Sequence, residues 1–162
     1  MPSTVRPIPE GYHSVTPALT CRDAARAIEF YKSVFGATEV VSMPGPGGKI
    51  MHAELRIGNS VIMLGDEIPG MTTAPSPSSG NSFSLFLYTE DVDATYARAL
   101  AAGSRSVMAP ENMFWGDRYG KITDPFGHHW GIATHVEDVA PDELARRSAE
   151  FTAKMAKAAG QS

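Results

Sequence analysis

The sequence lacks the features that define several protein classes: it has one cysteine, no long apolar run and no excess of positive charge. Because Cys21 has no second cysteine to pair with, an internal disulfide and a cysteine-based zinc site are both excluded. No apolar run approaches the roughly 18 residues of a membrane-spanning helix, and the Pro-rich residues 1–10 lack the apolar core of a secretory signal. We therefore expect a cytoplasmic protein that has no membrane partner.

Charge and composition narrow the class further. The 162 residues include 14 Lys and Arg against 18 Asp and Glu, so the net charge is −4 and we expect no nucleic-acid partner. Hydrophobic residues make up 43% and charged residues 20%, which is typical of a globular domain. The 15 Gly and 12 Pro indicate many turns between short elements.

The first half of the chain has the pattern of a β-α-β-β-β module. Asp23 can cap a helix whose apolar residues recur at helical spacing, and Gly36 follows the last turn of that helix. Residues 51–57 alternate between apolar and polar, which predicts a half-buried strand, and Gly58-Asn59 predicts a hairpin turn. Further strands are predicted over residues 14–20, 38–43 and 60–64.

The second half repeats this pattern after a breaker-rich connector. Asp91 precedes a predicted helix over residues 92–102, and Gly127 lies in a turn between two predicted strands. Asp91 lies 68 residues after Asp23, and Gly127 lies 69 residues after Gly58, as expected for an internal structural repeat. The strands of this half are predicted over residues 82–89, 104–108, 114–123 and 128–135.

These elements predict an α+β fold in which two tandem βαβββ modules form a curved mixed sheet. A C-terminal helix begins near Pro141, where a helix start tolerates proline. The predicted parts are an N-terminal arm (1–13), a first module (14–65), a connector (66–80), a second module (81–136) and the C-terminal helix (137–162).

Several strings in this pattern resemble the vicinal oxygen chelate superfamily, and more narrowly its PhnB-like branch. They are Asp-Ala-Ala-Arg-Ala-Ile-Glu-Phe-Tyr at 23–31, His-Ala-Glu-Leu-Arg-Ile-Gly at 52–58, Glu-Asp-Val-Asp-Ala at 90–94, Phe-Trp-Gly-Asp-Arg-Tyr-Gly at 114–120, and Asp-Pro-Phe-Gly-His-His-Trp-Gly-Ile-Ala-Thr-His at 124–135. The superfamily includes glyoxalase I, extradiol dioxygenases, and fosfomycin and bleomycin resistance proteins. The resemblance implies the fold of two βαβββ modules, but this fold supports many chemistries.

The resemblance also implies where a metal would be held. The four metal-ligand positions of the metal-dependent members correspond here to Thr16, Met63, Ser84 and Gly131. None of these residues is a histidine or a carboxylate, which are the usual ligands of a catalytic divalent ion. We therefore expect no cofactor, while a divalent metal at other positions stays open.

Strand alternation and the same correspondence indicate which residues face the cavity of the fold. The expected pocket has small residues near its centre, aromatic walls and a few polar groups, which is typical of a site for an organic molecule. The candidate ligand-binding residues are His52, Glu54, Phe86, Tyr88, Trp115, Arg118 and His129. A structural role for each polar candidate stays open, including an Asp-Arg pair at Arg118 that braces the hairpin.

Three functional hypotheses follow. The first is a metal-free homodimer whose cavity binds a small organic molecule. The second is a glyoxalase-type or dioxygenase-type enzyme that holds a divalent ion through relocated ligands such as His52, Glu54 and His129. The third is metal-free acid/base catalysis by His52 or His129. The sequence does not identify the catalytic residues or the ligand.

Overall fold

The computed structural model of the protein describes residues 5–78 and 80–160. Over these residues the chain forms two compact units: the first comprises residues 5–78, 80–82 and 125–128, and the second comprises residues 83–124 and 129–160. The structure confirms the α+β fold and the tandem modules, and each module has its own four-stranded mixed sheet. No helix within the described residues is both long and apolar enough to cross a membrane.

The first unit contains one helix and four strands. Their bounds are β1 (Ala18–Cys21), α1 (Ala24–Phe35), β2 (Thr38–Pro44), β3 (Ile50–Ile57) and β4 (Ser60–Asp66), with a short 3-10 turn at Pro46–Gly48. The sheet order is β1-β4-β3-β2, in which β1 runs parallel to β4 and the other neighbours are antiparallel. The predicted hairpin turn between β3 and β4 is confirmed, with Gly58 at a φ of 58°.

The second unit repeats this topology and adds the C-terminal helix. Its elements are β5 (Ser84–Tyr88), α2 (Val92–Ala101), β6 (Arg105–Asn112), β7 (Asp117–Thr123), β8 (His129–His135) and α3 (Pro141–Ala159). The sheet order is β5-β8-β7-β6, and β5 runs parallel to β8. The equivalent strands of the two modules therefore pair in the same order, as the repeat predicts.

Three predicted strand bounds are wrong. β1 begins at Ala18 rather than at residue 14, since Pro17 has no N–H to donate to a ladder. β7 begins at Asp117 rather than at residue 114, because Met113 and Gly116 close a turn through a backbone hydrogen bond of 3.2 Å. β6 extends to Asn112 rather than ending at residue 108, and irregular register accommodates the additional residues.

Side chains at the strand ends hold the helix starts in both units. The Asp66 carboxylate, at the end of β4, accepts hydrogen bonds from the backbone N–H of Ala24 at 3.0 Å and of Ile50 at 2.7 Å. In the second unit, Thr134 Oγ1 accepts from the N–H of Val92 at 2.8 Å. These bonds satisfy N–H groups that a helix start leaves without intrahelical partners, and they fix each helix to one face of its sheet.

Apolar side chains on the helix-facing side of each sheet form the cores. In the first unit α1 covers Ala53 and Leu55, which are both fully buried, and the aromatic rings of Phe30 and Tyr31 pack around Phe126. In the second unit the buried residues include Ile122, Trp130 and Ile132. The opposite face of each sheet is therefore the one available to carry a site.

The last helix, α3, is attached mainly through its first half. Arg147 forms an ion pair with Glu137 at 2.8 Å, and the Phe151 ring lies 5.0 Å from the Phe114 ring. No α3 residue is buried within the described chain, so the apolar stripe that includes Met155 stays exposed. The homodimer stays a prediction.

Candidate functional site

The sheet of the second unit has one face under α2 and one open face. Register and alternation place Phe86 beside Gly131, and Tyr88 beside Ala133, which in turn lies beside Tyr119. Arg118 has the opposite orientation, since it contacts Asp93 of α2. The open face is made of Ser84, Phe86, Tyr88, Asp117, Tyr119, Lys121, Thr123, His129, Gly131, Ala133 and His135.

Four rings on and beside this face form an aromatic cluster, made of Phe86, Tyr88, Trp115 and Tyr119. The Phe86 and Tyr119 rings stack with centroids 5.4 Å apart and an interplanar angle of 5°. Tyr88 lies 5.1 Å from Phe86, and Trp115 lies 5.8 Å from Tyr119. Phe86 is 50% exposed and Tyr88 is 60% exposed within the described chain, so the cluster presents apolar ring surface to solvent.

A buried carboxylate holds one end of the aromatic cluster. Asp117 is only 2% exposed, and its Oδ2 accepts hydrogen bonds from the Tyr88 hydroxyl and from Trp115 Nε1, each at 2.9 Å. Its Oδ1 accepts from His135 Nδ1 at 2.8 Å, and His135 Nε2 donates to Asp138 Oδ1 at 2.8 Å. Both ring nitrogens of His135 therefore face carboxylates, an arrangement that favours the cationic form of the imidazole.

The same contacts set the pKa values of these groups. Burial acts to raise the pKa of the Asp117 carboxyl, but hydrogen bonds from His135, Tyr88 and Trp115 outweigh it, and the pKa lies below its ordinary value. The hydrogen bond to Asp117 raises the pKa of Tyr88. Hydrogen bonds to Asp117 and then to Asp138 raise the pKa of His135. Asp117 is therefore an anion that is fully engaged by donors.

Two of the four positions that the family resemblance assigns to metal ligands lie on this face, and the residues present there do not fit a metal ion. Ser84 offers only a neutral hydroxyl, and Gly131 offers no side chain. A Cβ atom on Gly131 would lie 2.8 Å from Tyr119 Cε2 and 3.1 Å from Phe86 Cδ2. The two stacked rings therefore lie where a glutamate at this position would begin, and such a residue would have to displace them.

The first unit shows the same mismatch at its two positions. Met63 lies on the same face as Glu54, and Thr16 precedes β1. Neither side chain supplies the imidazole or carboxylate that the family's metal needs. Over residues 5–78 and 80–160, no group of three or more His, Cys, Asp or Glu side chains lies close enough together to hold a metal ion.

The structure brings His52 and Glu54 together on the open face of the first unit. Ala53 and Leu55 point to the core, which confirms the predicted alternation of β3. His52 Nε2 donates to Glu54 Oε1 at 2.9 Å, and the Tyr12 hydroxyl donates to Glu54 Oε2. These two hydrogen bonds, from His52 first and then Tyr12, lower the pKa of Glu54. Both carboxylate oxygens of Glu54 are therefore occupied by this chain's own donors.

The other two polar candidates are also engaged within the second unit. Arg118 holds Asp93 with two hydrogen bonds, from Nε at 2.6 Å and from Nη2 at 2.9 Å, and its Nη1 donates to Asn112. Its guanidinium therefore braces α2 on the sheet face opposite to the aromatic cluster. His129 lies on the open face, where its Nδ1 is 3.0 Å from Thr123 Oγ1.

A cleft of about 350 Å3 lies along the connector of the first unit. Its wall includes the charged residues Arg22, Lys49 and Glu67, together with Pro69, Gly70, Thr72 and Thr73. All seven of these residues are exposed and none is aromatic or a large aliphatic. The cleft therefore lacks the apolar walls that an organic-ligand site normally has, and the aromatic cluster is the better candidate.

Sequence reasoning missed three important side chains. Asp117 and Tyr119 lie in the motif at 114–120 but are not among the predicted site residues, and Tyr12 lies in the predicted N-terminal arm. Alternation along residues 117–123 could have placed Asp117 and Tyr119 on the face opposite to Arg118. Nothing in the local pattern indicates that Tyr12 contacts Glu54, because that contact depends on the path of the segment before β1.

The ion pair at His135 should be visible in an NMR titration of the imidazole. We expect His135 to titrate above the ordinary value of about 6.5, and Asp117→Asn to lower its pKa more than the control Asp138→Asn does, because Asp117 is the larger cause of the shift. Since the folded pKa is raised, the stabilisation of the wild type over His135→Gln should be complete below about pH 6.5 and should disappear as the pH rises through the folded pKa. An unchanged His135 pKa in Asp117→Asn would contradict this assignment.

Comparison with known proteins agrees with the fold and the arrangement of the modules. The family model of the Glyoxalase/Bleomycin resistance protein/Dioxygenase superfamily matches residues 13–132. The protein Rv0887c of Mycobacterium tuberculosis is 44% identical over 135 residues, which cover 81% of this chain and 79% of that protein. The protein At5g48480 of Arabidopsis thaliana is 36% identical over 126 residues, which cover 72% of this chain and 74% of that protein.

Solved structures agree as well. The X-ray structure of the At5g48480 gene product from Arabidopsis thaliana matches with a TM-score of 0.61 and 31% identity, covering 75% of this chain and 98% of that chain. The PhnB protein from Bacillus cereus matches with a TM-score of 0.60 over 75% of this chain and 99% of that chain, and its 19% identity supports the fold alone. The chain therefore belongs to the glyoxalase/bleomycin resistance protein/dioxygenase superfamily, the vicinal oxygen chelate superfamily that its sequence resembles.

Proposed function

We propose that this protein binds a small planar aromatic molecule on the open face of its second unit and that it does so without a metal ion. The single observation that carries the proposal is the aromatic cluster beside Gly131, a position that the family resemblance assigns to a metal ligand. There the stacked Phe86 and Tyr119 rings lie against Gly131. A ligand would stack on the exposed side of Phe86 and contact the edge of Tyr88.

Energetic considerations favour ring stacking over ion binding on this face. Phe86 and Tyr88 are each at least half exposed, and covering such rings with an apolar partner is favourable because it removes their surface from water. Offset or edge contacts between aromatic rings add about 0.5–1.5 kcal/mol per pair beyond the area that is buried. The carboxylate of Asp117 is buried and already accepts three hydrogen bonds, so it adds little attraction for a cation.

Superfamily membership supports a ligand-binding role without deciding the chemistry. The family description joins glyoxalases and dioxygenases with bleomycin resistance proteins. In this chain the four metal positions carry Thr16, Met63, Ser84 and Gly131, and none of these side chains supplies a strong ligand for a divalent ion. Ligand binding by the aromatic cluster does not require imidazole or carboxylate ligands at these four positions.

Indole is a suitable first probe, because it is planar, bicyclic and soluble. We expect indole to shift the NMR signals of residues on the open face and Phe86→Ala to weaken its binding about tenfold, through loss of the ring on which it stacks. Phe83→Ala is the matched control, because Phe83 is 55% exposed but is outside the aromatic cluster. Equal losses in the two variants, or no saturable indole binding, would contradict the proposed site.

The alternative is a metal-dependent enzyme that uses relocated ligands. The observation that favours it is the close contact of His52 with Glu54, although the second oxygen of Glu54 accepts from Tyr12. His129 was the third candidate ligand, and His52 or His129 could also act as an acid or base without a metal. The two functions differ in the metal that the purified protein should contain: none for metal-free ligand binding, and a bound divalent ion for the enzyme.

Metal analysis of the purified protein separates the two. We expect nickel, zinc, iron and manganese each to be far below one ion per chain, and thermal stability to be unchanged by EDTA, since no described cluster of ligands would lose its ion. His52→Ala and His129→Ala should then leave the metal content unchanged. Stoichiometric metal that either variant removes would support the enzyme and overturn the metal-free proposal.

A further inference from the structure

We propose that the binding face selects aromatic molecules that carry an N–H or O–H donor at the ring edge, because Asp117 fixes the Tyr88 hydroxyl as a hydrogen-bond acceptor for the ligand. This inference rests on the proposed function and adds the ligand class. It assigns Asp117 as a positioning residue, which acts on the ligand through Tyr88 rather than by contact.

The Tyr88 hydroxyl has a limited number of donors and acceptors. A phenolic hydroxyl has one hydrogen to donate and lone pairs that accept. The hydrogen is directed to Asp117 Oδ2, at an oxygen–oxygen distance of 2.9 Å. An ionised carboxylate can only accept, so the direction of this bond cannot reverse. What Tyr88 retains for a ligand is therefore its acceptor capacity.

A second donor of the aromatic cluster, on Trp115, is used in the same way, whereas the Tyr119 hydroxyl can donate as well as accept and so does not select between ligand donors and acceptors. The indole N–H of Trp115 donates to Asp117 Oδ2 at 2.9 Å, so a ligand meets the Trp115 ring and not its donor. Phe86 has no polar atom. Near Tyr88 the aromatic cluster therefore offers ring surface and a hydroxyl acceptor, which a ligand N–H or O–H would satisfy.

Asp117 is held in the anionic state that this arrangement needs. It is 2% exposed and it receives three donors, from Tyr88, Trp115 and His135. Hydrogen bonds to a charged acceptor are stronger than those between neutral groups. The hydroxyl of Tyr88 is therefore oriented before any ligand arrives, while 60% of the Tyr88 surface stays accessible.

A pair of probes with the same shape tests the selection. Indole and benzofuran are both planar bicyclic rings that differ at one ring position, where indole has an N–H donor and benzofuran has an oxygen acceptor. We expect the wild type to bind indole about three- to tenfold more tightly than benzofuran, the effect of one hydrogen bond between neutral groups. The readout is the Kd of benzofuran divided by the Kd of indole, with both values measured by NMR titration.

Two variants test the role of each residue in that ratio. Tyr88→Phe removes the acceptor and keeps the ring, so the ratio should fall to about one mainly through weaker indole binding. Asp117→Asn introduces an amide donor beside Tyr88, which allows the hydroxyl to turn its hydrogen toward the ligand. A hydroxyl that donates favours the oxygen acceptor of benzofuran, so the ratio should fall below the wild-type value. A general structural defect would weaken both probes equally and leave the ratio unchanged.

The outcomes distinguish this inference from the proposed function. If the wild type binds both probes equally and Phe86→Ala weakens both, the aromatic site stands and the selection by Tyr88 is overturned. If Tyr88→Phe leaves a preference for indole intact, the selection is likewise overturned. If neither probe binds the wild type, the proposed function fails and this inference fails with it.

Discussion

The buried carboxylate of Asp117 is the constraint on which the open face of the second unit depends. Taking an ionised group out of water is costly unless hydrogen bonds replace its hydration. Here a hydroxyl, an indole and an imidazole supply those bonds, from Tyr88, Trp115 and His135. The positions of the three donors are therefore constrained, because each must stay within hydrogen-bond distance of Asp117 for its burial to be compensated. Two of the four rings of the aromatic cluster are fixed in this way, on two different segments of the chain.

A second constraint comes from the size of Gly131. Since it has no side chain, the Tyr119 and Phe86 rings can approach the backbone of β8 closely, and a Cβ at this position would lie within 2.8 Å of Tyr119. Metal-dependent relatives are expected to have a glutamate carboxylate at this position, whereas in this chain the Phe86 and Tyr119 rings lie there. Gly131 thus offers no metal ligand and provides the space in which the stacked pair forms.

Much of this organisation follows from periodicity in the sequence. The 68-residue offset between Asp23 and Asp91 predicted the repeat, and both residues cap helices in the structure. Alternation predicted that Phe86 and Tyr88 would share a face, and that His52 and Glu54 would do so in the first unit. These predictions succeed because side-chain direction in a strand depends only on the local backbone.

What the sequence did not reveal are pairings that depend on distant segments. Arg118 was expected to be a ligand-binding candidate or part of a brace, and its partner, Asp93, lies 25 residues away on α2. Tyr12 reaches Glu54 across 42 residues, through a segment without regular structure. In the sequence, Asp117 cannot be distinguished from any other polar strand residue. Its role depends on Tyr88 of β5 and His135 of β8, which the fold brings beside it. Contacts of this kind are set by tertiary packing, which a single sequence does not encode in its local pattern.

The most direct test of the account is a crystal structure of the protein grown with indole. We expect indole to stack on the exposed side of Phe86, with its N–H directed at the hydroxyl of Tyr88 and the Asp117 hydrogen bonds intact. Indole bound at another place, such as the connector cleft or the His52–Glu54 pair, with the aromatic cluster left uncovered, would contradict the central claim that this cluster is the ligand site.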